Sequence, residues 1–310
     1  MMGGRNPLLS IDLIHTLSLY HTVFSVPENT GVTLSGSPSS PRSALHAAMI
    51  LHVVTNPTAA DTVLSGLAFP SLPPLHPLLL SEISTVANSL RRLYLACALT
   101  PYRGVTYPQK GKERPAVEAV IRDGLKLGAQ CHYLDGIPSL FIANDVLQKG
   151  VVEWENGDLD KPERAWIGVL LREKTVHNLV TGSVWATSLL FSLIQELTVL
   201  WAVAASSRVA AYNKFVARIE ELGLPAAVDA KPVLDGKEVM KLLGAPPGPW
   251  TGTILARVVE WQLEHPEGTK QECEAWLREE QAAGRISTTN ATIKRGQDAG
   301  EDAKTKKAKR

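Results

Sequence analysis

The 40 residues from Val184 to Gly223, VWATSLLFSLIQELTVLWAVAASSRVAAYNKFVARIEELG, constrain the fold more than any other stretch. Apolar side chains recur at helical spacing, so the segment reads as one or two helices closing at Gly223. Its first part, Ser183–Ala205, is long enough to span a bilayer, but Gln195 and Glu196 sit at its centre. Charge at that depth in lipid is costly, which favours a buried core helix.

Helical periodicity dominates elsewhere. Leu8, Ile11, Leu13, Ile14, Leu17, Leu19 and Tyr20 form one face of an opening helix. Further helices are expected from Ser43, with that serine as cap, and as one long helix from Pro77. Arg114–Gly128 has proline at its start and glycine at its end, the usual asymmetry of helix termini. No alternation of apolar and polar residues is long enough for a sheet. The fold class expected is all-α: a helical body over 1–225, a small helical tail domain over 226–285, and a disordered basic tail over 286–310. Loops fall at Val26–Pro41, Ala68–Pro77, Tyr102–Arg114 and Glu153–Glu163, where proline, glycine and polar residues cluster.

Net charge is +1, which argues neither for nor against a nucleic acid partner. The charge is uneven, however. Residues 294–310 hold seven basic and three acidic residues, leaving about −3 for the rest. Cys97, Cys131 and Cys273 lie far apart with no CxxC pair, so neither a zinc site nor a disulfide framework is expected, and a reducing compartment is the simple reading.

Two regions gather cations. Arg91, Arg92, Arg103, Lys110, Lys112, Arg114, Arg122 and Lys126 crowd one stretch, interleaved with Tyr94, Tyr102 and Tyr107. This is the composition that backbone binding to RNA needs, with base stacking on tyrosine as an addition; a solvated basic face is the competing reading. The second region is KEVMKLLGAPPGPWTGTILARVVEWQ. Asp235 and Glu238 form a capping pair for a helix through Leu243, and Gly244 fits the left-handed position after it. Pro246, Pro247 and Pro249 cannot extend that helix, while Pro249 suits the first turn of the next, which stops at His265-Pro266. Thr269 and Glu272 cap a third helix ending near Gly284. The junction leaves N–H groups at Gly248, Trp250, Thr251 and Gly252 at a positive helix end, near Lys237, Lys241 and Arg257, an arrangement suited to phosphate.

The same stretch, KPVLDGKEVMKLLGAPPGPWTGTILARVVEWQLEHPEGTKQECEAWL, resembles the C-terminal tail of eukaryotic CCA-adding tRNA nucleotidyltransferases, fungal members above all. GRNPLLSIDLIHTLSLYHTVF from Gly4 is similar to the stretch after their neck, and TPYRGVTYP with RPAVEAVIRDGLKLGAQ is similar to their body. The resemblance covers nearly all of residues 4–280. It implies an enzyme of head, neck, body and tail. The head adds C, C and A to tRNA 3′ ends with two Mg²⁺ ions, and body and tail grip the elbow of the acceptor arm. The RNA-binding residues it suggests are Lys237, Lys241, Gly244, Pro247, Gly248, Pro249, Trp250 and Arg257, together with Arg91, Arg92, Lys110, Lys112, Arg114, Arg122 and Lys126.

The head's glycine turn and D-x-D strand, and the neck's Arg-Arg-Asp, have no counterpart in register. Gly3-Gly4 precedes no such strand, Arg91-Arg92 is followed by Leu93, and Asp158-Leu159-Asp160 lies in a polar loop. The expectation is therefore a chain with no catalytic or metal-binding residues of its own and no bound cofactor, resembling the family with its first half absent. It would work as a tRNA-binding module or beside a separately encoded catalytic head; a truncated gene-model product without independent function is the alternative. The compartments expected are cytoplasm, nucleus or mitochondrion, with neither membrane insertion nor secretion.

Overall fold

The computed structural model describes residues 4–56 and 72–286. The basic stretch beyond Ile286 and residues 68–71 of the loop expected at Ala68–Pro77 lie outside the described residues. The chain divides into two compact units on either side of the Ala230–Lys231 bond. Among the described residues it is mostly helical, as expected, with one two-stranded sheet.

The first unit opens with α1 (Pro7–Thr16), whose Asn6 side chain accepts from the N–H of Leu9 at 3.0 Å, and the single turn α2 (Tyr20–Val23). The expected continuous helix breaks because Ser18 takes a left-handed backbone (φ 55°). Leu8, Ile11 and Ile14 are buried, whereas Leu9, Leu13, Leu17 and Leu19 are exposed. Next comes α3 (Arg42–Thr55), which buries Ala44, Leu45, residues 47–51 and Val54 and whose N-cap is Pro41 rather than Ser43; the Ser43 hydroxyl instead donates to the carbonyl of Ser40 at 2.8 Å.

The long helix expected from Pro77 is two: α4 (Pro77–Thr85) and α5 (Ala87–Ala98), parted at Val86 (φ −114°, ψ 100°). The hydroxyls of Ser81, Ser84 and Thr85 bond back to carbonyls of the preceding turn. Such back-bonding competes with helix continuation, and a β-branched valine follows it.

The loop expected at Tyr102–Arg114 contains a hairpin, β1 (Thr106–Gln109) paired antiparallel with β2 (Lys112–Pro115), Tyr107 facing Arg114. Lys110 (φ 51°) and Gly111 (φ 74°) make a two-residue turn with both φ positive, the hand that matches strand twist. The sequence conceals it because each strand is four residues long and carries a proline. Pro108 is tolerated because a two-stranded ribbon has an unpaired edge on each strand.

The helix expected over Arg114–Gly128 is one α-turn, α6 (Ala116–Ala119), which widens into a π-turn at Val120–Gly124. There Gly124 passes so close to the chain before it that a Cβ would stand 2.1 Å from the carbonyl oxygen of Ser25. α7 (Tyr133–Asn156), α8 (Glu163–Leu171) and α9 (Trp185–Glu221) follow, and α9 packs against α7, α4 and α3. The 37 residues of α9 form one helix, closed by Gly223 with φ 64°. Gln195 is buried and donates to the Thr100 hydroxyl at 2.9 Å, while Glu196 pairs with Arg208 at 2.7 Å. The polar residues at its centre thus find partners within the protein. No helix among the described residues is long and apolar enough to cross a membrane. The single turn α10 (Leu224–Ala227) ends the unit.

The second unit holds α11 (Gly236–Leu243), α12 (Trp250–Glu264) and α13 (Lys270–Ala282) around Leu234, Val239, Leu243, Ile254, Val258, Trp261, Cys273 and Leu277. Both capping boxes expected here are formed, at Asp235/Glu238 and at Thr269/Glu272. Gly244 has φ 63°, as the left-handed position requires.

Candidate nucleic-acid interface

In the first unit the hairpin turn carries Lys110, Lys112 and Arg114 into solvent. The tyrosines around it are turned inward. Tyr102 donates to the carbonyl of Phe24 at 2.6 Å, Tyr107 bonds the Glu118 carboxylate at 3.2 Å, and Tyr94 bonds His52 at 3.2 Å. All three are buried, so none offers a face to a base.

The arginines divide by what holds them. Arg122 forks onto Asp123 at 2.7 and 3.0 Å and donates to the Tyr107 hydroxyl at 3.0 Å. The hydrogen bonds from Arg122 hold the Asp123 carboxyl below its ordinary range, and that guanidinium is engaged in the fold. Arg114 lies 3.6 Å from Glu118, and Arg103 bonds Asp145 and Gln148. Arg91, Lys110, Lys112 and Lys126 are exposed and form no salt bridge among the described residues.

Two concavities flank the hairpin. One, of about 390 Å³, is walled by Val105, Arg114, Val117, Phe141, Ile142 and Asp145. The other, of about 540 Å³, runs past Lys112, Arg114, Glu118, Pro138 and Ser139 to Asp135. Arg114 and Ile142 border both, so the hairpin cations overhang a tract that ends at Asp135. There Asp135 meets His132, 3.4 Å between Oδ2 and Nδ1, at the start of α7. Arg92 lies at the same corner and is buried.

Asp135 and Gly182 are absent from the sequence expectations, and in sequence His132 stands only beside Cys131, an adjacent pair unsuited to sharing a metal. The readable signal was Arg92 itself, three residues after Ser89 and four before Ala96 on the buried face of α5.

In the second unit Lys237 and Lys241 are exposed on α11, and Pro247 and Pro249 are exposed beside Gly244 and Gly248. Pro249 is the residue preceding α12 rather than its first member. The N–H of Thr251 is bonded to Gly248 at 3.0 Å, so it is not free as expected, and Trp250 is buried with its indole N–H on the carbonyl of Pro246. Arg257 is held by the carbonyl of Arg285 at 2.9 Å and by Glu280, and lies over the Trp276 ring.

Among the described residues no three His, Cys, Asp or Glu side chains group to hold a metal. Asp158 and Asp160 lie exposed in the turn after α7.

Comparison with known proteins supplies the context. The chain is 25% identical over 280 residues to the tRNA nucleotidyltransferase cca2 of Schizosaccharomyces pombe, covering 90% of this chain and 49% of that protein. It is 24% identical over 289 residues to the mitochondrial CCA tRNA nucleotidyltransferase of Saccharomyces cerevisiae, covering 88% and 49%. Its similarity to the Candida glabrata mitochondrial enzyme is 29% over 175 residues, covering 53% and 29%. The chain is homologous to fungal CCA tRNA nucleotidyltransferases. It spans about half the length of the first two of these CCA tRNA nucleotidyltransferases. No family model matches it, and no solved structure matches it significantly.

Proposed function

We propose that this chain is the tRNA-gripping part of a CCA-adding nucleotidyltransferase, and that alone it transfers no nucleotide. The observation that carries the reading is homology along nearly the whole chain to enzymes named for this reaction. The exposed, unpaired cations beside the hairpin tract support it. The tRNA is held through its phosphates at the acceptor-arm elbow, by Lys110, Lys112 and Arg91 in the first unit and by Lys237 and Lys241 in the second. Two-metal phosphoryl transfer needs carboxylates converging on Mg²⁺. The described residues do not fit such a site, because Asp158 and Asp160 have no third ligand beside them. The exposed leucines of α1 support a covering partner, which in this reading is a separately encoded catalytic head. Two relatives are named mitochondrial, which supports a mitochondrial pool of this protein.

The test is paired. The full chain is titrated with tRNA lacking its CCA end at several salt concentrations, and the same sample is assayed with labelled CTP and ATP in Mg²⁺. Binding that weakens with salt, without incorporation, is the expected result. Lys110→Ala with Lys112→Ala lowers the slope of log K against log salt by about 0.7–0.9 per lost phosphate contact. Incorporation above a tag-only control, or no tRNA binding, overturns the reading.

A further inference from the structure

The first unit ends at Ala230 and the second begins at Lys231, and the chain is tied down on both sides of that bond. On the first side the ties come from Arg172 and His177. Arg172 is the C-cap of α8, and its Nη1 lies 2.6 Å from the carbonyl oxygen of Val228 and 3.0 Å from those of Ala227 and Ala230. Hydrogen bonds from a charged donor are the stronger kind. The N–H of Ala230 also donates to the carbonyl of Ala227 at 3.2 Å, so Ala230 is bonded through both of its backbone groups. Asp229 is held by its side chain. Nδ1 of His177 accepts the N–H of Trp185 at 3.3 Å, which leaves the hydrogen on Nε2 to donate to Asp229 at 2.8 Å.

On the second side a single amide, the Gln262 side chain of α12, holds the chain at two points. Its Nε2 donates to the carbonyl of Lys231 at 3.2 Å, and its Oε1 accepts the N–H of Val233 at 3.0 Å. Between the two sets of ties, Lys231 and Pro232 are exposed, and the N–H of Lys231 has no partner among the described residues. Peptide groups are rigid planes. The plane from Ala230 to Lys231 is fixed through the Ala230 oxygen, and the plane from Lys231 to Pro232 through the Lys231 oxygen. Only φ and ψ of Lys231 lie between those planes. A residue before proline is held extended, with ψ near about +120 to +160°, because the proline ring clashes with it elsewhere. What remains is φ of Lys231, which sterics confine to an arc of about 100°.

We infer that the two units are joined by a one-bond hinge, the N–Cα bond of Lys231, and that this hinge couples their grips on one RNA. Two sets of phosphate contacts on one chain bind as a bivalent ligand. The second set engages at an effective concentration that falls as the connection lets it roam a larger volume. A joint with one open torsion keeps Lys237 and Lys241 on an arc once Lys110 and Lys112 have engaged, and a looser joint spreads them. The coupling rests on the tRNA reading above; the hinge does not.

The test follows amide ¹⁵N relaxation of each unit in the full chain without RNA. In the wild type the second unit relaxes more slowly than the first, because it swings on its own bond. Lys231→Pro fixes φ and breaks no hydrogen bond, so the second unit's transverse rates rise to those of the first. Pro232→Gly releases ψ and touches none of the ties, so those rates fall by about 1.4-fold or more, the ratio of rigid to flexible order parameters. Gln262→Ala moves them the same way, and the Trp261 indole resonance, from the second unit's core, reports that each variant is folded. Unchanged rates in Lys231→Pro overturn the hinge, since other torsions then carry the motion. Unchanged rates in Pro232→Gly overturn it as well. With tRNA, Pro232→Gly binds about three- to tenfold more weakly at an unchanged salt slope, because the connection has loosened and no phosphate contact is lost. Unchanged tRNA affinity, or a smaller slope, overturns the coupling and leaves the hinge. A wild type that binds no tRNA sinks the tRNA reading alone.

Discussion

Replacing Gly124 with alanine is the sharpest test of how the first unit is closed. The new methyl group would stand 2.1 Å from the carbonyl oxygen of Ser25, far inside contact distance, and the obstacle is backbone that no rotamer change can move. Relief requires the Phe24–Val26 segment to retreat. Phe24 is fully buried, and its carbonyl accepts the hydroxyl of Tyr102 at 2.6 Å, so that bond stretches as the segment moves. Overpacking typically costs about 1–3 kcal/mol, and a weakened buried hydrogen bond adds about 1–3. Near the middle of that range, about 4 kcal/mol corresponds to a melting temperature lower by roughly 8–16 °C for a unit of this size. Thermal unfolding followed by far-ultraviolet circular dichroism reads it. Gly223→Ala is the control: φ is 64° and nothing lies within 4 Å of its Cβ, so only the left-handed penalty of about 1–2 kcal/mol applies. If Gly124→Ala melts at or above Gly223→Ala, the close approach is wrong. Combining Gly124→Ala with Tyr102→Phe tests the route, since a shared hydrogen bond makes the double variant less damaged than the sum by about 1 kcal/mol.

Three further outcomes follow from the burial and charge pattern. Glu280 is buried between Arg285 and Arg257, and the hydrogen bonds from Arg285 lead in holding its carboxyl below the ordinary range. A depressed folded value gives stability that is present above the unfolded carboxylate pKa, about 4.3, and lost as pH falls through the folded one. Glu280→Gln therefore melts lower than wild type at neutral pH, and the two converge in acid; equal melting at neutral pH would refute it. Burial pushes the Cys97 thiol well above its usual range and that of Cys273 up to about 11. Iodoacetamide on the native protein at mildly alkaline pH should alkylate Cys131 first, which peptide mass spectrometry checks. On α1, Leu8→Ala costs about 2–5 kcal/mol in urea unfolding, whereas Leu13→Ala, at an exposed position, stays within about 0.5 kcal/mol of wild type.

The helices of the second unit were readable nearly to the residue, because their signals are local. Asp235 and Glu238, Thr269 and Glu272, Gly244 and the His265-Pro266 stop each act within one turn of chain. The same held for Gly223 at the end of α9. The hairpin was not readable, since its strands expose lysine, glutamate and arginine and bury only Tyr107. Nor was the break at Val86, where serine and threonine hydroxyls undo a good apolar period. Among the candidate RNA contacts, composition found the cations but not their state. Asp123 and Glu118 lie within four residues of the arginines they hold, so those pairs were local, whereas Arg257 depends on Glu280, 23 residues away, and the inward turn of the tyrosines depends on Phe24 and His52, far away in sequence. The Arg92 corner joins α5, α7 and the turn at Gly182, so no single window of sequence contains it.

A single helix of 37 residues is also a mechanical part. At 1.5 Å per residue α9 is about 55 Å long. Its Trp185 end is buried and fixed among packed side chains. A rotation of only about three degrees about that end swings the Glu221 end through roughly 3 Å by simple leverage on this length. The helix is thus a stiff beam in which a small angular change at one end becomes a displacement the size of a hydrogen bond at the other.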